Sequence, residues 1–334
     1  MTAVGLRTHI WNNNLKSLAL LAGFPILLLL LTYAGALVFT AYGFAESPSK
    51  TGLAPQHAQA FDAAVSAIPF VIAAAAVWFL AAWMFHQSII DASMKARSVT
   101  RETEPRLWNL LENLCISRGL TMPSLRIIET SAMNAYASGL SDKRAAVTVT
   151  RGLMEGLDDA ELEAVLAHEL THIRNKDVRL LVIAVIFVGI ISFVGEIMTR
   201  GLLRGSLARA GGSRRGKSGN AGVIILIALA IVALSWVLAI AIRFAMSRRR
   251  EFMADAGAVE LTRNPDAMIG ALEKISGRSE VDNAPREVRQ MFLDDQSTSF
   301  FGAFATHPPI DKRIEALVRY AGGTDVPPPA GLAA

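Results

Sequence analysis

His168-Glu169-Leu170-Thr171-His172 sets two imidazoles four residues apart, with a carboxylate beside the first. On a helix, residues four apart differ by about 40° of rotation, so both imidazoles leave one face and can grip a single cation. Glu169 is turned about 100° from His168, within reach of a water at that ion. The flanks predict the helix: Asp158 or Asp159 can cap its first turn, and Leu162, Val165, Leu166 and Ile173 form an apolar stripe. With Leu162 at 0°, Glu169 falls near 340°, His172 near 280° and His168 near 240°. The carboxylate therefore points into the stripe, with both histidines at its edge. Left unpaired there it would cost on the order of several kcal/mol, and a neighbouring cation resolves the conflict.

Two donors do not complete a catalytic site, because catalytic zinc takes three protein ligands and leaves a fourth position open. A third donor is offered by Arg249-Arg250-Glu251-Phe252-Met253-Ala254-Asp255-Ala256, where Glu251 and Asp255 share one face of a predicted helix. Glu251 can bind the metal, and Asp255 can accept the free N–H of a ligating imidazole and fix its tautomer. Two imidazoles and a carboxylate suit one zinc ion per chain.

Of the 334 residues, 52% are hydrophobic, and the mean hydropathy is +0.37. Leu18 to Phe44, Ala63 to Phe85 and Ala221 to Ile242 lack Asp, Glu, Lys and Arg, and each exceeds the ~20 residues a helix needs to span a bilayer. Leu180 to Gly195 is a shorter, fourth apolar stretch. Basic residues set the orientation: Arg7 and Lys16 precede the first span, and Lys95, Arg97, Arg101 and Arg106 follow the second. The amino terminus and residues 87–177 are thus expected in the cytosol.

The connection between the last two stretches carries Arg200, Arg204, Arg209, Arg214, Arg215 and Lys217 without an acidic residue. Two readings are open: residues 180–242 cross twice against the charge rule, or enter and return on one side. Either gives the even number of crossings that lets residues 168, 172 and 251 meet.

The expected fold is mostly α, a helical anchor of up to four transmembrane helices with a zincin-type α+β domain. Its segments are residues 1–86 (two spans), 87–177 (first part of the catalytic unit), 178–246 (third and fourth apolar helices), 247–321 (second part) and 322–334 (a disordered tail). Within the catalytic unit the pattern predicts a helix from about Glu104 to Arg118, and strands at Ser124 to Glu129, Asn134 to Ser138 and Ala145 to Thr150. The net charge of +4 is accounted for by basic residues flanking the spans, and no nucleic-acid partner is expected. Cys115, the one cysteine, excludes an internal disulfide and reads as a packed thiol.

Four ordered stretches now carry a resemblance: Asn134-Ala135-Tyr136-Ala137-Ser138-Gly139, Ala167-His168-Glu169-Leu170-Thr171-His172 with Asp177 beyond it, Arg250-Glu251-Phe252-Met253-Ala254-Asp255-Ala256-Gly257, and Thr306-His307-Pro308-Pro309 running on through Arg313 to Leu317. The chain resembles the HtpX-like membrane zinc metalloproteases, which are related to the CAAX prenyl proteases. That likeness implies His168, His172 and Glu251 as zinc ligands and Glu169 as catalytic acid/base. It also implies His307 as an oxyanion stabiliser, Arg313 as support near Glu251 or Asp255, and Asn134, Ala135, Tyr136 and Ala137 as a substrate-binding edge strand. A multi-pass protein of the bacterial inner membrane follows from the likeness, with a cytosol-facing site that cleaves misfolded or damaged membrane proteins. Its expected partners are protein or peptide substrates and the lipid bilayer. Four apolar stretches are too few for the larger membrane chamber of the prenyl proteases. The rival readings are an intramembrane metalloprotease and a non-catalytic scaffold holding a structural zinc.

Overall fold

A computed structural model describes residues 6–41, 53–183, 249–282 and 308–324, together with 226, 229–230, 233, 284, 288 and 291–294. The chain divides into two compact units. One comprises Met1–Lys16, Phe85–Val182 and Met246–Ala334, and the other Ser17–Met84 and Ile183–Ala245. Most of the third and fourth apolar stretches, and His307, lie outside the described residues.

The second unit contains most of α1 (Leu6–Ala41) and α2 (Leu53–Met94). Ala34, Leu37 and Ala60 form a small buried cluster, flanked by Tyr33, Ala36 and Val38. Small residues at Ala34 and Ala60 leave room for close approach of the helices. Among the described residues one helical stretch, His57–Ala81, is long and apolar enough to cross a membrane, with a mean hydropathy of 2.2. Phe61, Phe70, Val77 and Leu80 along it are exposed, as suits an apolar surround. In α1 the comparable stretch is the shorter Pro25–Thr40. The described residues thus supply one clear span, and the expected four-helix anchor is not assembled by them.

In the first unit, α3 (Pro105–Arg118) starts with Pro at its first turn, and Gly119 ends it in the left-handed region at φ 63°. Leu107, Leu111, Leu114 and Cys115, at helical spacing, are buried. Burial pushes the Cys115 thiol up to about 11, so it stays protonated and inert.

The sheet has the order β1-β2-β4-β3, built from β1 (Arg97–Ser98), β2 (Ser124–Ile128), β3 (Ala135–Ser138) and β4 (Ala146–Thr150). β2 and β4 pair in parallel, while β1 on β2 and β3 on β4 are antiparallel. β3 is therefore an edge. The three anticipated strands form with ends within a residue or so of those expected, and β1 is additional.

α4 (Arg151–Gly156) follows β4 directly, capped by the Thr150 side chain, which accepts from the Leu153 N–H. α5 (Asp159–Arg174) is the H-E-x-x-H helix. Asp158 and Glu161 form a reciprocal capping box at its start, satisfying two orphan N–H groups. The chain is helical again over 177–183. Then come α6 (Arg249–Thr262), α7 (Pro265–Ile275) and α8 (Ile310–Ala321).

α5 packs against α6, α7, α3 and β3. The wheel anticipated one apolar stripe, but the helix is enclosed on nearly every side. Leu162, Ala164, Val165, Leu166, Ala167 and Leu170 belong to one large core with Leu107, Leu111, Val147, Met268 and Leu272. Leu162→Ala should lower stability by about 2–5 kcal/mol through loss of buried methylenes and a residual cavity. Asp158→Ala should cost about 1 kcal/mol by uncapping α5. Thermal unfolding of the two detergent-solubilised variants checks both magnitudes and their order.

Candidate metal centre

α5 places His168 and His172 on one face, as the spacing requires, with Nε2 to Nε2 3.1 Å apart. α6 brings Glu251 to them: its Oε2 lies 3.8 Å from His168 Nε2 and 3.7 Å from His172 Nε2. These three atoms outline a triangle whose in-plane centre is about 2.1 Å from each, against roughly 2.0–2.2 Å for zinc bonds to imidazole and carboxylate. Among the described residues this is the one group of three or more His, Cys, Asp or Glu side chains with metal-binding spacing.

The outer nitrogens explain why the inner ones face each other. His168 Nδ1 meets Asp255 Oδ1 at 2.9 Å, and His172 Nδ1 meets Asp177 Oδ2 at 3.1 Å. A carboxylate on Nδ1 places the proton there and directs the Nε2 lone pair inward. Two ring nitrogens and a carboxylate oxygen converging in a buried space repel one another unless a proton or a metal cation lies between them. The donor set therefore fits a divalent metal on its own chemistry.

The next layer holds those carboxylates. Arg313, 1% exposed, donates to both oxygens of Asp255, Nε to Oδ2 at 2.9 Å and Nη2 to Oδ1 at 2.6 Å, and gives Nη1 to the Leu293 carbonyl at 2.9 Å. Burial alone would raise Asp255, but the Arg313 ion pair outweighs it and holds the carboxyl below its usual range. Arg250 Nε donates to Glu251 Oε1 at 3.1 Å.

Glu169, 1% exposed, lies beside the triangle. Burial, aided by the nearby Glu251 charge, pushes its carboxyl up to about 7. The backbone N–H of Ala137 opposes that rise, and among the described residues Glu169 Oε2 has no hydrogen-bond partner. A buried carboxylate oxygen in this state is suited to a polar group arriving from outside the chain.

The close approach of α6 to α5 rests on small residues. Ala254 and Ala258 are fully buried, and a Cβ on Gly257 would lie 2.3 Å from Thr171 Cγ2. Glycine at 257 thus sets how near Glu251 comes to the imidazoles.

Of the side chains expected at the site, His168, His172, Glu169, Glu251, Asp255 and Arg313 come together. Asp177, quoted in the sequence only as a flanking match, proves to hold His172. Its offset of five residues falls past the end of α5, so helical periodicity could not reveal the contact. Nor was Arg250 anticipated beside Glu251.

At the start of the expected edge strand, Asn134 is engaged by the chain itself. Asn134 is 1% exposed, and both its amide donors are engaged, by the carbonyls of Ser279 and Asp294, each at 2.8 Å. Its Oδ1 accepts from the N–H groups of Ala135 and Leu293. Such a saturated amide has nothing left for substrate. Ala135 gives its carbonyl to Leu293, and Tyr136 packs its ring against Phe292, leaving Ala137 as the residue that faces Glu169.

Comparison with known proteins gives the family. The model for peptidase family M48 matches residues 101–321, which include every described residue of the centre. The chain belongs to peptidase family M48. A protease HtpX homolog of Bacteroides fragilis is 40% identical over 328 residues, covering 96% of this chain and 100% of that one. A protease HtpX homolog of Listeria monocytogenes is 39% identical over 257 residues, 72% of this chain and 83% of its own. Among solved structures, Ste24p of S. mikatae aligns with a TM-score of 0.42 and 20% identity over 92% of this chain and 66% of its own. This M48 chain is thus an HtpX-like metallopeptidase, and peptides or proteins are its substrates.

Two outcomes follow from the packing and the charges. Gly257→Val should push α6 outward and weaken metal binding by tenfold or more, and Thr171→Ala in the same chain should recover part of the loss; competition with a chromophoric chelator measures both. His172, despite the opposing effect of burial, is held protonated up to about 10 by Glu251 and Asp177, whereas burial depresses His168 to about 4. A metal entering at neutral pH must therefore displace a proton from His172, and apparent affinity should rise with pH. Calorimetry in buffers of different ionisation enthalpy should show about one proton released per metal.

Proposed function

We propose that this chain is a membrane-bound zinc endopeptidase that hydrolyses peptide bonds of misfolded or damaged membrane proteins at the cytosolic face of a bacterial inner membrane. The observation that carries the chemistry is the triangle of His168, His172 and Glu251 with the buried Glu169 carboxylate beside it. His168, His172 and Glu251 would hold the zinc, with Asp255 and Asp177 fixing the two imidazoles. Bound there, zinc supplies Lewis acidity to the attacking water and to the scissile carbonyl.

The remaining work falls to the chain itself. The buried Glu169 carboxylate takes the proton of the attacking water and returns it to the leaving amine. A carboxyl poised near neutrality can do both. Arg313 keeps Asp255 ionised, so His168 retains its tautomer. His307, which lies outside the described residues, is proposed to stabilise the oxyanion.

The membrane setting draws on the apolar helix His57–Ala81 and on the basic residues flanking the apolar stretches. Cleavage beside the bilayer, rather than within it, accords with the charged Asp158, Asp159, Glu161, Arg174 and Lys176 on and around α5.

Glu169→Gln should retain zinc and lose about a hundredfold or more of turnover. His168→Ala should lose the metal as well. Zinc content measured beside cleavage of casein and of a membrane-protein substrate, with chelation and zinc readdition, decides the matter. Full activity of the Gln variant, or activity indifferent to chelation, would overturn the assignment.

A further inference from the structure

An edge strand presents its free N–H and C=O groups on its outer side at every second residue. In β3 the Ala135 carbonyl faces outward, where it accepts the Leu293 N–H at 2.8 Å. By the period of two, Ala137 faces the same way, its N–H turned to the side of Met291. The outer row of β3 is therefore divided. At Ala135 it is occupied by the chain's own Phe292 and Leu293, which run antiparallel to β3, with Phe292 opposite Tyr136, whose own N–H and C=O turn to β4. Among the described residues, the row left for a peptide begins at the Ala137 carbonyl, near the proposed catalytic carboxylate.

Residues 291–294 are built into this place. Leu293 is 1% exposed and belongs to the main core. Its N–H is shared between the Ala135 carbonyl and Asn134 Oδ1, and its carbonyl takes Arg313 Nη1. The Asn134 amide ties Ser279 and Asp294 together at the neck of the intervening loop, and Ser279 Oγ donates to Asp294 Oδ2 at 2.6 Å. Leaving β3 would expose Leu293 and strip Arg313 and Asn134 of partners.

We infer that residues 291–294 are a resident strand that closes one end of the substrate edge, so that a peptide is held by β-pairing only on the N-terminal side of its scissile bond. The direction follows from the resident strand itself. A peptide continuing the same outer row runs antiparallel to β3, so residues preceding the scissile bond extend from Ala137 towards Gly139, and those following it meet Met291 and Phe292. They must turn away from the sheet there. The protease would then select chains with an extended segment before the cut and make few backbone demands after it. This inference rests on the peptidase reading above.

A peptide cleaved at one mapped bond, with each main-chain N–H methylated in turn, tests it on the zinc-loaded, full-length wild-type protein. On the N-terminal side, methylation at the pairing position should lower kcat/KM about fivefold or more. On the C-terminal side, beyond the scissile amide, it should change kcat/KM less than about twofold. Comparable losses on both sides would overturn the inference. Phe292→Ala, which trims the wall, should alter residue preference after the scissile bond and leave preference before it unchanged; a change on both sides or neither counts against the resident strand. If the unmodified peptide is not cleaved in a chelator-sensitive way, it is the peptidase reading that fails.

Discussion

Two imidazole nitrogens 3.1 Å apart, each turned inward by a carboxylate on its far side, form the constraint around which the catalytic unit is arranged. Their lone pairs and the Glu251 oxygen can share a buried space only if positive charge joins them. Everything near the centre serves to bring these donors together or to hold them. The capping box fixes the start of α5, and β3 packs beside that helix. The glycine and alanines of α6 let a second helix come close enough to add its carboxylate.

Burial gives this arrangement its chemical character. In water, two histidines, four carboxylates and two arginines would interact weakly; enclosed, each charge depends on its neighbour. Asp255 stays ionised because Arg313 is bidentate to it, and Glu169 is driven towards neutrality because its other neighbours do not compensate it. Arg313 also grips the Leu293 carbonyl. The layer that supports the histidine pair is thereby joined to the segment lying along the outer side of β3.

The same enclosure shows what a sequence pattern can and cannot report. The wheel of α5 identifies the histidine face because the relative azimuth of residues on one helix is fixed by its geometry. Enclosure by α3, α6, α7 and β3 is a property of the assembled unit, so a stripe was anticipated where the helix is buried nearly all round. Asn134 shows a second limit: its amide is taken by carbonyls about 145 and 160 residues further along the chain, contacts that no local pattern reports.

By itself the sequence determined the helix carrying His168, Glu169 and His172, the carboxylates at 251 and 255 as companions on one face, the strands of the small sheet, and a stretch apolar enough for a bilayer. All of these follow from local periodicity, capping and residue type. Packing alone brings Glu251 to the histidines, sets Asp177 rather than a residue of the helix against His172, and lays Phe292 and Leu293 along the outer side of β3. These contacts join segments far apart in the chain, or fall beyond the end of a helix, and their distances are set by packing that no local pattern encodes.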